Sequence, residues 1–111
     1  MPVPEVDVEE FARQYAAGGR VIDVRERDEY LNGHVPGALS VPLGTVPDHV
    51  DAFTVEEPTF VICLSGARSR RVAEWLADQG THVINVDGGT RGWILSGRDV
   101  VAGEAPGDPP R

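Results

Sequence analysis

Three short apolar runs constrain this chain more than any other feature. They are Arg20-Val21-Ile22-Asp23-Val24, Phe60-Val61-Ile62-Cys63 and His82 to Val86. Each is rich in β-branched or aromatic residues and too short for a core helix, so each reads as a buried strand. Helical patterns alternate with them. Asp7 is placed as an N-cap, Glu10 stands at the capping-box position, and Gly18-Gly19 stop the helix. Between these signals Val8, Phe11, Ala12 and Tyr15 form one apolar stripe. A second helical piece spans Asp28 to Asn32 and ends at Gly33. The turn His34-Val35-Pro36-Gly37-Ala38 leads to a short strand over Leu39 to Pro42, and Val46 to Phe53 suits a short helix.

After the central run comes a small-residue link, Leu64 to Arg68. A helix follows from Ser69 to about Gln79, with Val72, Trp75 and Leu76 as its stripe and Ala73 beside it. Arg70 and Glu74 are spaced for an exposed ion pair. Asp87-Gly88-Gly89 is a turn, and Thr90 to Ser96 is a last short helix anchored by Trp93. Strands alternating with helices imply an α/β fold with a parallel sheet covered on both faces. Chemistry in such sheets gathers at the C-terminal ends of the strands, where Cys63 stands.

The chain has 111 residues, which suits one domain over residues 1–100. Residues 101–111 read as a flexible Gly- and Pro-rich tail, loosely packed. Net charge is -8, and all ten basic residues are arginine. That balance argues against general nucleic-acid or anionic-membrane binding. No apolar run approaches the ~18 residues of a membrane span. Met1 to Glu5 carries no basic-then-apolar leader, so a soluble, cytoplasmic protein is expected. One cysteine excludes an internal disulfide, a CxxC redox pair and a cysteine-rich zinc site.

A lone cysteine is ordinarily a small core hydrophobe. The residues after Cys63 argue otherwise. Leu64, Ser65, Gly66, Ala67, Arg68 and Ser69 form a short loop of mostly small residues running into a helix. Amides at a helix N-terminus have no internal partner, and loop amides can curl into an anion-binding nest. Gly66 can adopt backbone angles that a Cβ forbids, and Ser65 and Ala67 add no bulk. The arrangement is suited to an anion beside sulfur, so Cys63 is expected to favour its thiolate.

These residues resemble the active-site loop of the rhodanese family of sulfurtransferases. The stretch Val21 to Glu26 with Glu29-Tyr30, then Gly33 to Ala38, resembles the family's first signature. Val86-Asp87-Gly88-Gly89 with Gly92-Trp93 resembles its closing pattern, so the likeness runs from about Asp7 to Trp93. It implies a rhodanese-like three-layer α/β/α fold with a mainly parallel central sheet. It also implies a Cys63 nucleophile that takes a sulfane sulfur from thiosulfate or a related persulfide donor, becomes a persulfide, and passes the sulfur to cyanide or a thiol acceptor. Residues 64–69 would bind the donor, with Arg68 on its oxyanion end. No metal and no organic cofactor is implied. Family members often carry a charged or polar residue just after the cysteine; Leu64 here favours a persulfide donor carried by a partner protein of a sulfur relay.

Other readings compete. Asp23 is placed to orient Arg25 or the loop as a supporting site residue, or simply to cap neighbouring amides. Arg25 and Glu29 have ion-pair spacing. His34 is expected to be a hydrogen-bonded turn residue, His49 and His82 have no metal-site spacing, and Arg70 with Arg71 reads as a solvated face. A cysteine-loop phosphatase or arsenate reductase follows Cys-x5-Arg, whereas four residues separate Cys63 from Arg68 here. A sulfur carrier or interaction module with little thiosulfate turnover fits the same residues.

Overall fold

The computed structural model describes residues 3–110; Met1, Pro2 and Arg111, parts of the expected leaderless start and loose tail, lie outside the described residues. The elements in chain order are β1 (Glu5–Val6), α1 (Val8–Ala16), β2 (Arg20–Asp23), α2 (Arg27–Asn32) and β3 (Leu39–Ser40). A 3-10 segment (Leu43–Phe53), β4 (Thr59–Ile62), α3 (Ala67–Asp78), β5 (Ile84–Val86) and α4 (Gly89–Leu95) complete the chain. The five strands form one sheet in the order β1-β5-β4-β2-β3, every pair parallel. The predicted alternation is therefore real. Strand β1 escapes a sequence reading because two residues after a proline carry no periodicity.

Side-chain alternation divides the apolar strands between two cores. Val21, Phe60, Ile62 and Val86 face Phe11 and Tyr15 of α1, Tyr30 of α2 and Trp93 of α4. Ile22, Val61 and Cys63 face Val72, Ala73 and Leu76 of α3 with Val46 and Phe53 of the 3-10 segment. The result is the three-layer arrangement expected. Phe11 centres the first core: its ring lies 5.2 Å from Tyr15, 5.0 Å from Phe60 and 5.6 Å from Trp93.

Two local expectations are corrected. Trp75 is 38% exposed rather than buried, because the inward stripe of α3 runs through Ser69, Val72, Ala73 and Leu76 and leaves Trp75 on its flank. Arg70 pairs with Glu5 at 2.6 Å and not with Glu74, since the preformed edge at β1 fixes a carboxylate within reach. The chain after residue 100 hydrogen-bonds to α2 and the turn that follows it. Val101 and His34 exchange backbone hydrogen bonds at 2.9 Å, Gly103 N–H donates to Leu31 O, and Gly37 N–H donates to Pro106 O. The turn after α2 leaves backbone groups without sheet or helix partners, and the tail satisfies them. His34, buried in that turn, lies within 2.8 Å of Tyr30 O and 3.0 Å of Ala105 O.

Replacing Phe11 by alanine removes the ring on which three others pack. It should destabilise the fold by about 3–5 kcal/mol, read as a lower denaturant midpoint at unchanged m-value.

Candidate active site

Strand β4 ends at Ile62 and delivers Cys63 to the rim of the sheet. The path of the loop beyond it is set by α4. The Thr90 N–H donates to Cys63 O at 2.9 Å, Arg91 N–H to Leu64 O at 3.0 Å, and Gly88 N–H to Ser65 O at 3.1 Å. The unpaired amides around the start of one helix thus take three successive loop carbonyls. With its carbonyls drawn that way, the loop turns its own N–H groups toward the sulfur. Gly66 N–H donates to Cys63 Sγ at 3.1 Å, and the Ser69 hydroxyl lies 3.4 Å from the same atom.

Two glycines make this geometry possible. Gly66 has φ +105°, and a Cβ there would crowd Val86 O and the Asp87–Gly88 backbone. Gly89 packs so closely on Cys63 O and Leu64 O that no Cβ fits. Burial pushes the Cys63 thiol up. The Ser69 hydroxyl and the amides of Ser69, Gly66 and Ser65 outweigh it, and the net effect holds the thiol below its ordinary value. Cys63 is itself only 1% exposed, whereas Leu64, Ser65 and Ala67 are exposed. The loop therefore wraps the sulfur and is not splayed away from it.

Asn85, in the middle of β5, supports this cradle and has no counterpart in the sequence reading. Its Nδ2 donates to Gly66 O at 3.1 Å and to Glu5 Oε2 at 2.7 Å, and its Oδ1 accepts from the Ser69 hydroxyl at 2.6 Å. It thereby holds Gly66 and Ser69, two of the residues whose donors reach Sγ. The signal available in the sequence was a single polar residue interrupting Val83-Ile84-Asn85-Val86, a run that otherwise buries apolar groups.

The remaining candidates are distributed unevenly. Asp23 and Arg25 form a buried pair: Arg25 donates from its backbone N, Nε and Nη2 to the Asp23 carboxylate, and from Nη2 to Gly33 O at 2.7 Å. Asp23 thus orients Arg25, one of the roles the sequence offered, and closes the end of β2. Arg25 does not pair with Glu29. Glu29 instead binds Arg68 through two parallel contacts, Nη1–Oε1 at 2.8 Å and Nη2–Oε2 at 3.0 Å. The hydrogen bonds from Arg68 hold the Glu29 carboxyl at about 2, and the same pairing raises Arg68. Arg70 is occupied by Glu5.

Comparison with known proteins places this site in a context. The family model described as a rhodanese-like domain matches residues 7–96. A Bacillus subtilis (strain 168) protein, YrkF, whose name calls it a sulfur carrier, is 35% identical over 94 residues. The match takes in 82% of this chain but 51% of that protein, so the chain spans about half its length. A Stutzerimonas stutzeri (strain A1501) protein named thiosulfate sulfurtransferase GlpE is 32% identical over 78 residues, 69% of this chain and 72% of that one. The crystal structure of a rhodanese-related protein from Thermoplasma volcanium superposes with a TM-score of 0.81 at 26% identity, covering 88% of this chain and 97% of the other. Among the described residues no helix is long and apolar enough to cross a membrane.

The lowered thiol has a measurable consequence. Alkylation of Cys63 by iodoacetamide should follow a pH profile with its midpoint below that of a free thiol. Ser69→Ala, which removes a lowering contribution, should move the midpoint up and slow alkylation at neutral pH about two- to tenfold. The Glu29–Arg68 pair has its own signature. A carboxyl depressed when folded contributes stability above its unfolded value of ~4.3 and loses it as pH falls through the folded value. Both side chains are about one-third exposed, so the contribution is at most ~1 kcal/mol. The stability gap between wild type and Glu29→Gln should be constant above pH ~5 and close toward pH ~2.

Proposed function

The chain belongs to the rhodanese-like domain family, and from that premise we propose that it is a sulfurtransferase acting through a persulfide on Cys63. The observation that carries this reading is the Gly66 N–H 3.1 Å from Sγ, in a loop whose carbonyls α4 has turned away. Such a cradle favours negative charge on sulfur, first on the thiolate and then on the outer atom of a persulfide.

With thiosulfate, the Cys63 thiolate attacks the outer sulfur. A new S–S bond forms, the bond to the sulfonate sulfur breaks, and sulfite leaves with that electron pair. In the second displacement cyanide attacks the outer sulfur of the persulfide and departs as thiocyanate, restoring the Cys63 thiolate. A thiol acceptor leaves instead as its own persulfide. Both displacements balance in atoms and electrons on the cysteine alone. The amides of Ser65, Gly66 and Ser69 would hold the charge, with Leu64 and Ala67 shaping the mouth. Arg68 would meet the donor's oxyanion when it exchanges Glu29 for it. Because Cys63 is the only cysteine, the acceptor must come from outside the chain, as a small thiol or a relay protein. A cytoplasmic setting, where thiols stay reduced, accords with that chemistry.

A sulfur-carrier role is the second reading, supported by the name of the Bacillus relative whose length this chain half covers. Intact-protein mass spectrometry after incubation with thiosulfate should show a gain of one sulfur atom, lost on adding cyanide with release of thiocyanate. Cys63→Ser should show neither, because a hydroxyl cannot carry sulfane sulfur. Many thiocyanates per chain mark the enzyme. One stoichiometric load passed only to a protein thiol marks the carrier. No load from thiosulfate and none from a small-molecule persulfide overturns both.

A further inference from the structure

The arginine nearest the proposed anion end of the site already holds an anion. Arg68 uses both terminal nitrogens on the two oxygens of Glu29, at 2.8 and 3.0 Å, the fork-to-fork geometry with which a guanidinium would grip a sulfonate. Glu29 is not a passing contact. It stands in the first turn of α2, and its Oε1 also accepts the Glu26 N–H at 3.2 Å, closing a capping box. The next arginine along, Arg70, is held by Glu5 through Nε at 3.1 Å and Nη2 at 2.6 Å. The residue directly after the nucleophile, Leu64, is 41% exposed and apolar. The mouth of the cradle therefore offers main-chain donors to a single sulfur atom but no unoccupied fork on Arg68 or Arg70 for a bulky oxyanion.

We propose that Glu29 sets the donor preference of this site. By occupying Arg68 where a donor's oxyanion would bind, it disfavours thiosulfate and leaves the site to sulfur carried on an uncharged thiol. This rests on the sulfurtransferase reading above. With such a donor the Cys63 thiolate attacks the outer sulfur of R–S–S–H. The S–S bond of the donor breaks, the inner sulfur takes its electron pair and the proton to leave as R–SH, and the Cys63 persulfide carries the negative charge. No oxyanion is formed or bound in that step, so Arg68 can stay with Glu29. Thiosulfate, in contrast, must compete with a carboxylate of the same protein whose effective concentration is fixed by α2.

The test is the single-turnover rate at which Cys63 gains one sulfur, read by mass spectrometry at pH ~7 with two donors: thiosulfate and the persulfide of N-acetylcysteamine, which carries no carboxylate or sulfonate. Glu29→Gln keeps a capping-box side chain while releasing Arg68. It should speed loading from thiosulfate about two- to fivefold, the range expected for a pair about one-third exposed, and change loading from the neutral persulfide by less than about twofold. Asp28→Asn removes the same charge from the neighbouring exposed position and should give no comparable gain. If it does, the effect is a general field and the proposal fails. Adding Arg68→Gln to Glu29→Gln should cancel the gain. If Glu29→Gln does not fold, Glu29→Asp, which draws the carboxylate back by one methylene, should raise the thiosulfate rate in the same direction. An unchanged ratio of the two rates in a folded Glu29 variant overturns this inference alone. Failure of both donors to load the wild type overturns the sulfurtransferase reading beneath it.

Discussion

The whole site depends on one exchange of hydrogen bonds: amides around the start of α4 take the carbonyls of Cys63, Leu64 and Ser65. A peptide unit that turns its C=O one way must turn its N–H the other. The donors left over converge on the sulfur without any side chain being needed to aim them. The close packing of Gly89 on Cys63 O and Leu64 O is the steric counterpart of the same contact. The loop is thus shaped by an element that lies more than twenty residues further along the chain, packed on the opposite face of the sheet from α3.

Cys63 lives under two opposed demands. It is a member of the second core, packed with Ile22, Val61 and the inner face of α3, and that burial disfavours a charged sulfur. The amides and the Ser69 hydroxyl oppose burial and prevail. The Ser69 proton is also contested. It lies 2.6 Å from Asn85 Oδ1 and 3.4 Å from Sγ, and one hydroxyl has one proton to give. Asn85 cannot release Oδ1 by turning its amide, because both Nδ2 hydrogens are engaged, by Glu5 and by Gly66 O. The main-chain donors are therefore the constant part of the cradle and the hydroxyl its adjustable part.

Three ion pairs organise the charge around the site. In a chain with net charge -8, three arginines in and beside the site are matched to carboxylates: Arg25 to Asp23, Arg68 to Glu29, Arg70 to Glu5. The first of these is buried and joins the end of β2 to the turn after α2. The other two are partly exposed and contribute little stability, and each occupies the guanidinium donors of its arginine.

The α/β alternation, the N-cap of α1 at Asp7, a sheet covered on both faces, and the position of Cys63 ahead of a small-residue loop are all readable from the residues alone. These are legible because they rest on periodicity, capping and glycine, which act over a few residues. The partners of the arginines, the contacts of Asn85, the exposure of Trp75 and the pairing of the tail with the turn at His34 emerge only when the elements pack together. Spacing along a helix offered Glu74 to Arg70 and Glu29 to Arg25 as i,i+4 pairs. Exposed pairs of that kind are worth a few tenths of a kcal/mol, and a carboxylate presented by another element in better geometry displaces them. Which carboxylate that is depends on strand order and helix placement, and no short stretch of sequence encodes either.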